Sequence, residues 1–182
     1  MTAPPDAAAR AASLSSLFAA PERFGTLRSV APERVPEPHR RLLDHHSHMT
    51  VAMERFHGEP VSLRVVAACP PSATDEAYAR EILLLDPRGR PVQYGIVRID
   101  LTLVPAEVAA RIRAADTPLG RVLIAAGVLC DVQNVQLLDV TPGPHLAELI
   151  GPQPTFGRVA SIAVAGRAAV ELLEIVAGIE ST

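Results

Sequence analysis

The segment YAREILLLDPRGRPVQYGIVRIDL, residues 78–101, decides the fold of this chain. Two runs of apolar, β-forming residues flank the sequence Asp-Pro-Arg-Gly-Arg at positions 86–90. Proline presets φ at the first turn position and glycine accepts positive φ, so the segment predicts a β-hairpin closed by a short, bulge-type loop. We therefore expect an antiparallel hairpin near the centre of the chain.

Each strand of this hairpin carries an arginine, Arg80 on the first and Arg98 on the second. If Asp86 pairs with Arg90, then Arg80 lies opposite Ile96 and Arg98 is its diagonal neighbour. Because side chains alternate along a strand, both arginines then share one apolar face. Buried guanidinium groups need partners, and the natural partner is an anion from the protein or from a ligand. The hairpin thus predicts an anion site.

The composition favours one domain with an aliphatic core. The chain has 182 residues, of which 48% are apolar but only 3% aromatic, and a net charge of −3. That charge argues against a nucleic-acid or anionic-membrane surface. No apolar run reaches membrane-spanning length, and no signal-peptide pattern opens the sequence, so we expect a cytoplasmic protein. Cys69 and Cys130 are interpreted as reduced, buried thiols, with a disulfide between them left open.

The rest of the chain predicts short helices and hairpins. Residues 1–40 are interpreted as a partly ordered lead-in, and residues 41–182 as the domain itself. No βαβ alternation or repeat occurs, so the pattern predicts an α+β domain with helices outside an antiparallel sheet. We expect helices over 6–18, 38–57, 105–115 and 119–126, strands over 61–69, 158–165 and 168–176, and two strands, 128–132 and 135–140, around a turn at 133–134.

The last predicted strand carries a carboxylate on an apolar face. Glu174 shares that face with Val170, Leu172 and Val176. Aliphatic surroundings disfavour a charged carboxylate, which suits it to proton transfer. The same spacing also fits an edge strand with Glu174 in water, or a pair with a structural arginine, and the spacing alone favours these two.

Two further segments carry polar groups that could bind ligands. The sequence Thr-Pro-Leu-Gly-Arg at 117–121 predicts a helix start whose free N–H groups can hold a carboxylate. The run Asp-His-His-Ser-His at 44–48 is interpreted as a solvated helical stretch, because its histidines lie on several helix faces and no companion zinc motif occurs. We expect no metal and no cofactor.

Five short motifs follow one another between residues 40 and 177: Met49-Thr50, residues 80–84, the Gly-Arg-Pro turn with Tyr94-Gly95, residues 117–121, and Gly157-Arg158 before a strand that ends near Glu174. Their order and spacing resemble those of the chorismate pyruvate-lyase family. The resemblance implies a ligand site enclosed beneath helical flaps. It also implies cofactor-free conversion of chorismate to 4-hydroxybenzoate and pyruvate by a carbon–oxygen lyase.

The resemblance implies roles for individual residues. Arg80 and Glu174 correspond to the family's essential pair and are expected to be catalytic, with Arg80 holding a chorismate carboxylate. The expected substrate-binding residues are Met49, Leu119, Gly120 and Arg98, of which Arg98 would serve the second carboxylate. The expected partner is thus a small molecule, with no nucleic acid and no membrane, and the protein is expected to be a monomer or homodimer.

The chain departs from the family at two points. The family's second basic residue corresponds to Ile96, whereas the arginine here is Arg98. The alignment of Glu174 also requires a one-residue insertion after Gly166. Two alternatives therefore stay open. One is a lyase or related enzyme acting on another small carboxylated substrate. The other is a non-catalytic sensor or carrier of an aromatic acid, since ligand-sensing domains of transcription regulators share the fold.

Overall fold

The sheet has seven antiparallel strands in the order β1-β5-β6-β7-β4-β3-β2. The structure, a computed structural model, describes residues 6–71 and 77–179. The predicted α+β fold with an antiparallel sheet is confirmed. The strands are β1 (Gly25–Val30), β2 (Ser62–Cys69), β3 (Tyr78–Leu85), β4 (Pro91–Ile99), β5 (Cys130–Pro142), β6 (Thr155–Val164) and β7 (Arg167–Val176).

Seven α-helices in the described residues cover the two faces of this sheet. They are α1 (Ala7–Ser15), α2 (Pro21–Phe24), α3 (His39–Leu43), α4 (Met49–His57), α5 (Ala106–Ala114), α6 (Leu119–Ala125) and α7 (Pro144–Ile150). Helices α3–α6 bury their apolar residues on one face, here called face A. Helices α1, α2 and α7 pack on the opposite face, here called face B. Among the described residues, no helix is long and apolar enough to cross a membrane.

Residues 7–30 belong to the same sheet and core as the rest of the chain. Ala11 and Leu14 of α1 are buried against face B, and β1 pairs with β5 along its whole length. Arg10 fixes the helix further, because its guanidinium lies 2.9 Å from the Glu171 carboxylate on β7. The segment interpreted as a lead-in therefore contributes an edge strand and one layer of helix, while residues 1–5 lie outside the described part.

The central hairpin closes as predicted. The Asp86 N–H donates to the Arg90 carbonyl at 2.9 Å, and the Asp86 carboxylate accepts hydrogen bonds from the Arg90 backbone N–H and guanidinium. Hydrogen bonding within the turn lowers the pKa of Asp86. The turn thus holds β3 and β4 in antiparallel pairing.

One extra residue in β4 changes which side chains share a face. Leu84 pairs with Gln93 but Leu85 pairs with Pro91, so Val92 is a one-residue β-bulge. Past the bulge the register is shifted by one, and a shift of one moves every side chain to the other face. The prediction that the two hairpin arginines share a face is therefore wrong: Arg80 lies on face A and Arg98 on face B.

Two other predicted elements differ from the structure. The predicted helix over 38–57 is interrupted, because α3 ends at Leu43 and α4 starts at Met49. The predicted turn at 133–134 is a bulge inside the single strand β5, and β6 pairs with β5 on both sides of it. Asn134 has a φ of 52° there, which an Asn side chain tolerates better than most residues. Gly58 ends α4 in the left-handed conformation, as predicted.

Candidate functional site

A cavity lies on face A between the sheet and the first turns of α4 and α6. Its volume is about 40 Å³, and the space between its lining atoms, counting the open mouth, is about 480 Å³. Apolar side chains from six strands and two helices form most of its wall. Its polar lining residues are His48, Thr50, Arg80, Gln93, Arg158 and Glu174.

Five of the six predicted site residues line this cavity: Met49, Arg80, Leu119, Gly120 and Glu174. They come from β3, β7, α4 and α6, so the fold brings together segments far apart in sequence. The sixth, Arg98, lies on face B, where its register partner on β7 is Glu171. Its predicted contact with a ligand of the Arg80 site is therefore wrong, and the Val92 bulge is the reason.

Arg80 is the cationic group at one end of the cavity. It is 1% exposed. Its Nη1 donates to the Ile112 carbonyl at 3.2 Å and its Nη2 to the Thr117 carbonyl at 3.4 Å. Its Nε has no hydrogen-bond partner among the described residues. Burial lowers the pKa of the Arg80 guanidinium, but arginine stays protonated in proteins. The residue is therefore a buried cation that hydrogen-bonds to two backbone carbonyls and to the Tyr78 side chain, while its Nε stays without a partner in the described part of the chain.

Gln93 is a second buried polar group with an unused atom. It lies on β4, is 2% exposed, and its Oε1 has no hydrogen-bond partner among the described residues. Buried acceptors in folded proteins are nearly always paired with protein groups, water or ligand. Gln93 therefore adds an unused acceptor to the cavity wall.

Glu174 and Arg158 form an ion pair across the β6–β7 ladder. The Arg158 Nε donates to the Glu174 Oε2 at 2.7 Å, and the two side chains are 0% and 11% exposed. The pairing depends on a bulge at Ala169, since Ala163 pairs with Ala168 but Ile162 pairs with Val170. The bulge lies just after the turn at Gly166.

Arg158 also explains why residues 44–48 are not helical. Its Nη1 donates to the His45 carbonyl at 2.8 Å and to the Leu43 carbonyl at 3.3 Å, and its Nη2 donates to the Ser47 carbonyl at 3.1 Å. A charged donor competes for the carbonyls that a continuing helix would need. The buried arginine thus holds the α3–α4 connection over the cavity in an irregular conformation.

His45 completes this connection in its neutral form. Its Nε2 lies 2.8 Å from the Leu42 carbonyl and so donates, while its Nδ1 accepts from the Ser47 N–H at 3.1 Å and faces the Arg158 Nη1 at 3.3 Å. Burial and the nearby Arg158 charge lower the pKa of His45. A protonated Nδ1 would meet two donors, so these contacts require the uncharged ring.

His48, at the start of α4, packs between α6 and β5. A Cβ added at Gly120 would come within 3.0 Å of the His48 Cβ, so glycine permits the close approach of the two helices. The His48 Nε2 lies 3.5 Å from the Cys130 Sγ, and burial lowers the pKa of His48. Burial also raises the pKa of Cys130. The pair is therefore uncharged and closes one wall of the cavity.

The sequence analysis missed Arg158, Gln93 and His48 as cavity residues. The local signal for Arg158 is the Gly157-Arg158 motif, because a hairpin with one bulge brings Arg158 opposite Glu174. Gln93 had a weaker signal, a lone amide within an apolar strand. Cys69 and Cys130 are free thiols, and the described residues contain no group of three or more potential metal-binding side chains.

The chain was compared with known proteins and structures. No protein-family model matches it, and no curated protein matches it in sequence. A possible transcriptional regulator, YydK from Bacillus subtilis subsp. subtilis str. 168, is similar with a TM-score of 0.44 and 11% identity, over 67% of this chain and 62% of that one. This chain thus spans less than two thirds of that regulator. A GntR-family transcriptional regulator from Enterococcus faecalis V583 has a TM-score of 0.46 and 16% identity, over 66% of this chain and 98% of that one.

The prediction of a carbon–oxygen lyase is corrected. The two similar solved structures are described as transcriptional regulators, and nothing in the comparisons supports chorismate lyase specifically. The geometry agrees with the correction: the Glu174 carboxylate, expected to transfer a proton, is engaged by Arg158 at 2.7 Å. A carboxylate committed to a buried arginine is a structural partner rather than a free base.

Proposed function

We propose that this domain is a non-catalytic binding domain for a small carboxylic acid, which it takes into the face A cavity. The observation that carries the proposal is Arg80, a buried guanidinium that lines an apolar cavity with Nε unpaired. A buried cation without an anionic partner is costly, and a planar carboxylate matches the guanidinium geometry. The Tyr78 side chain, which hydrogen-bonds to the guanidinium, and the nearby Asp116 both favour the charged form of Arg80. Asp116 is exposed, so water screens its charge.

The remaining walls favour a ligand with an apolar body. Ile82, Leu84, Val97, Leu119 and Leu172 contribute hydrocarbon surface to the cavity. Apolar walls with a few placed polar groups are typical of sites that bind small organic molecules. An aromatic or alicyclic acid therefore fits this lining better than a sugar does, because a sugar would leave most of its hydroxyl groups unpaired.

The roof of the cavity provides a means of signalling occupancy. Met49 and Leu119 start α4 and α6 and line the cavity, and an ion pair between Arg121 and Glu54 joins these two helices. A ligand that contacts both helices binds the closed roof more tightly than an open one, and so shifts its population towards closure. On this basis the domain acts as a sensor.

Calorimetric titration of the purified protein with benzoate tests the proposal. We expect saturable binding that weakens about 10- to 100-fold in Arg80→Met, the equivalent of losing charge-assisted hydrogen bonds worth about 1.5–3 kcal/mol. Arg98→Gln, which removes a guanidinium from the opposite face of the same hairpin, is the matched control and should bind as the wild type does. Incubation with chorismate should release no pyruvate. Absence of benzoate binding, or equal affinity in Arg80→Met, would refute the proposal.

A further inference from the structure

We propose that the α3–α4 segment, residues 39–57, is a cover of the face A cavity that mild acid releases. Three of its histidines, His39, His45 and His48, are uncharged in the closed position, and their protonation favours an open one. The inference goes beyond the proposed function and does not depend on it, because the release requires no ligand.

The α3–α4 segment is attached to the domain by side chains and not by a β-ladder. Its residues 48–50 line the cavity. The apolar side chains that it buries against face A are those of Leu42, Leu43, Met49 and Met53. In the described part of the chain, no backbone–backbone hydrogen bond joins this segment to a strand. Proteins open locally in cooperative units at a lower free energy than global unfolding, so the sheet can stay folded while this helix pair moves.

Protonation of His45 loosens the contacts that hold this segment in place. The Nδ1 of the neutral ring accepts the Ser47 N–H at 3.1 Å and faces the Arg158 Nη1 at 3.3 Å. The Arg158 guanidinium in turn holds three backbone carbonyls of the α3–α4 connection. A charged ring loses the Ser47 hydrogen bond and repels this guanidinium. Of the other groups that act on His45, Glu174 favours its charged form and His46 opposes it.

His48 is a second ring whose contacts favour the neutral form. Its Nε2 lies 3.5 Å from the Cys130 Sγ. Burial lowers the pKa of His48 and raises that of Cys130, so the thiol donates to an uncharged ring. Glu174 favours a charge on His48 and Arg158 opposes it. Protonation removes the acceptor for the thiol at the contact between α4 and β5.

His39, at the start of α3, is the most buried of the three rings. It is 1% exposed and packs on the Phe156 ring with the ring centroids 5.3 Å apart. Its Nδ1 has no hydrogen-bond partner among the described residues. Burial lowers the pKa of His39, and no nearby charge offsets this effect. A proton taken up in the closed position therefore places an uncompensated charge in an apolar environment.

The pH range of the release follows from the direction of these pKa shifts. In the open position the three rings have the ordinary histidine pKa of about 6.5, whereas in the closed position their pKa values are lowered. The closed position is therefore fully stable above about pH 6.5 and loses stability as the pH falls towards the lowered values. Between about pH 7 and about pH 5.5, one histidine raises the open population at most about 8-fold, and three together at most about 600-fold.

Hydrogen–deuterium exchange of the ligand-free full chain, corrected for the intrinsic pH dependence of exchange, tests the inference. From about pH 7 to about pH 5.5, the opening equilibrium of residues 39–57 should rise more than about 10-fold, which exceeds the effect of one histidine. Peptides from β6 and β7 should keep their protection. Combining His39→Phe, His45→Asn and His48→Asn should reduce the rise to less than about 3-fold. His46→Asn, which replaces an exposed histidine of the same segment, is the matched control and should leave the rise unchanged.

Several outcomes would overturn the inference. These are a smaller rise in the wild type, a rise that persists in the combined variant, and a loss of protection that spreads equally to the strands. NMR titration of the wild-type histidine rings is a second test, which does not require the combined variant to fold. The rings of His39, His45 and His48 should titrate below pH 6.5, and ordinary pKa values for them would overturn the inference. Benzoate binding plays no part in these measurements, so the inference and the proposed function can fail separately.

Discussion

The Arg158 Nε donates to the Glu174 Oε2 at 2.7 Å across the β6–β7 ladder, with the arginine side chain fully buried. The same guanidinium donates to three carbonyls of residues 43–47. One side chain thus joins the floor of the cavity, the carboxylate of β7 and the connection between α3 and α4. The stability of the α3–α4 connection therefore depends on this ion pair.

Removal of Glu174 should strongly destabilise the protein. Glu174→Leu leaves the Arg158 charge buried without an anion, a change that costs about 3–5 kcal/mol in comparable cases. Adding Arg158→Met to this variant should cost less than the sum of the two single changes, because the charge is removed with its partner. Urea denaturation followed by circular dichroism measures each free energy of unfolding.

Glu171→Leu is the matched control for this prediction. Glu171 lies on the same strand and pairs with Arg10, but its side chain is 40% exposed, so its ion pair should contribute at most about 1 kcal/mol. If Glu174→Leu and Glu171→Leu lower stability equally, or if the Glu174 and Arg158 changes are additive, the ion pair does not have the structural importance given to it here.

A buried network on face B should affect stability without affecting the cavity. The Tyr94 hydroxyl donates to the Glu81 Oε1 at 2.6 Å, and the His145 Nε2 lies 2.7 Å from the same oxygen. Tyr94→Phe removes one of these donors, and the weaker pairing of buried Glu81 should cost about 1–3 kcal/mol. Denaturation and benzoate titration of the variant check both halves of the prediction. A changed benzoate affinity would mean that the two faces are coupled.

Acidification should lower the stability of the protein through His45 in the α3–α4 connection. Burial and Arg158 lower the pKa of His45 below 6.5 in the folded protein, so the unfolded chain takes up the proton more readily. The stabilisation from the neutral ring is therefore complete above about pH 6.5 and is lost as the pH falls towards the folded pKa.

Thermal unfolding at about pH 7.5 and about pH 5.5 measures this effect. His45→Asn keeps an acceptor for the Ser47 N–H and does not titrate, so its Tm should fall less on acidification than that of the wild type. His39 and His48, whose pKa values burial also lowers, account for the loss that remains in the variant. Equal losses of Tm in both proteins would show that His45 is not the titrating group.

Sequence patterns predicted those parts of the fold that depend on local chemistry. The β3–β4 turn, the α4 C-cap at Gly58 and the apolar face of Glu174 each follow from a few neighbouring residues. Arg80 and Glu174 were singled out because charges on apolar strand faces are unusual, and both line the cavity. These features are predictable because the conformational preferences of proline and glycine do not depend on distant residues, and neither does the alternation of side chains along a strand.

The errors arose where single residues or distant partners changed local structure. The Val92 bulge moved Arg98 to face B, and nothing in the sequence between the turn and Arg98 marks which residue bulges. The helix over 38–57 was interrupted by Arg158, which lies more than a hundred positions away. Local periodicity cannot reveal such a competitor for backbone carbonyls. The expectation that Glu174 is a free proton-transfer group has the same origin, because its partner Arg158 lies on a strand that only the fold brings opposite it.

A crystal structure of the protein with 4-hydroxybenzoate tests the central claim most directly. We predict that the carboxylate lies in the face A cavity with an oxygen about 2.7–2.9 Å from an Arg80 guanidinium nitrogen, with the Arg158–Glu174 ion pair intact. A carboxylate bound at Arg98 on face B, or one that displaces Glu174 from Arg158, would contradict it.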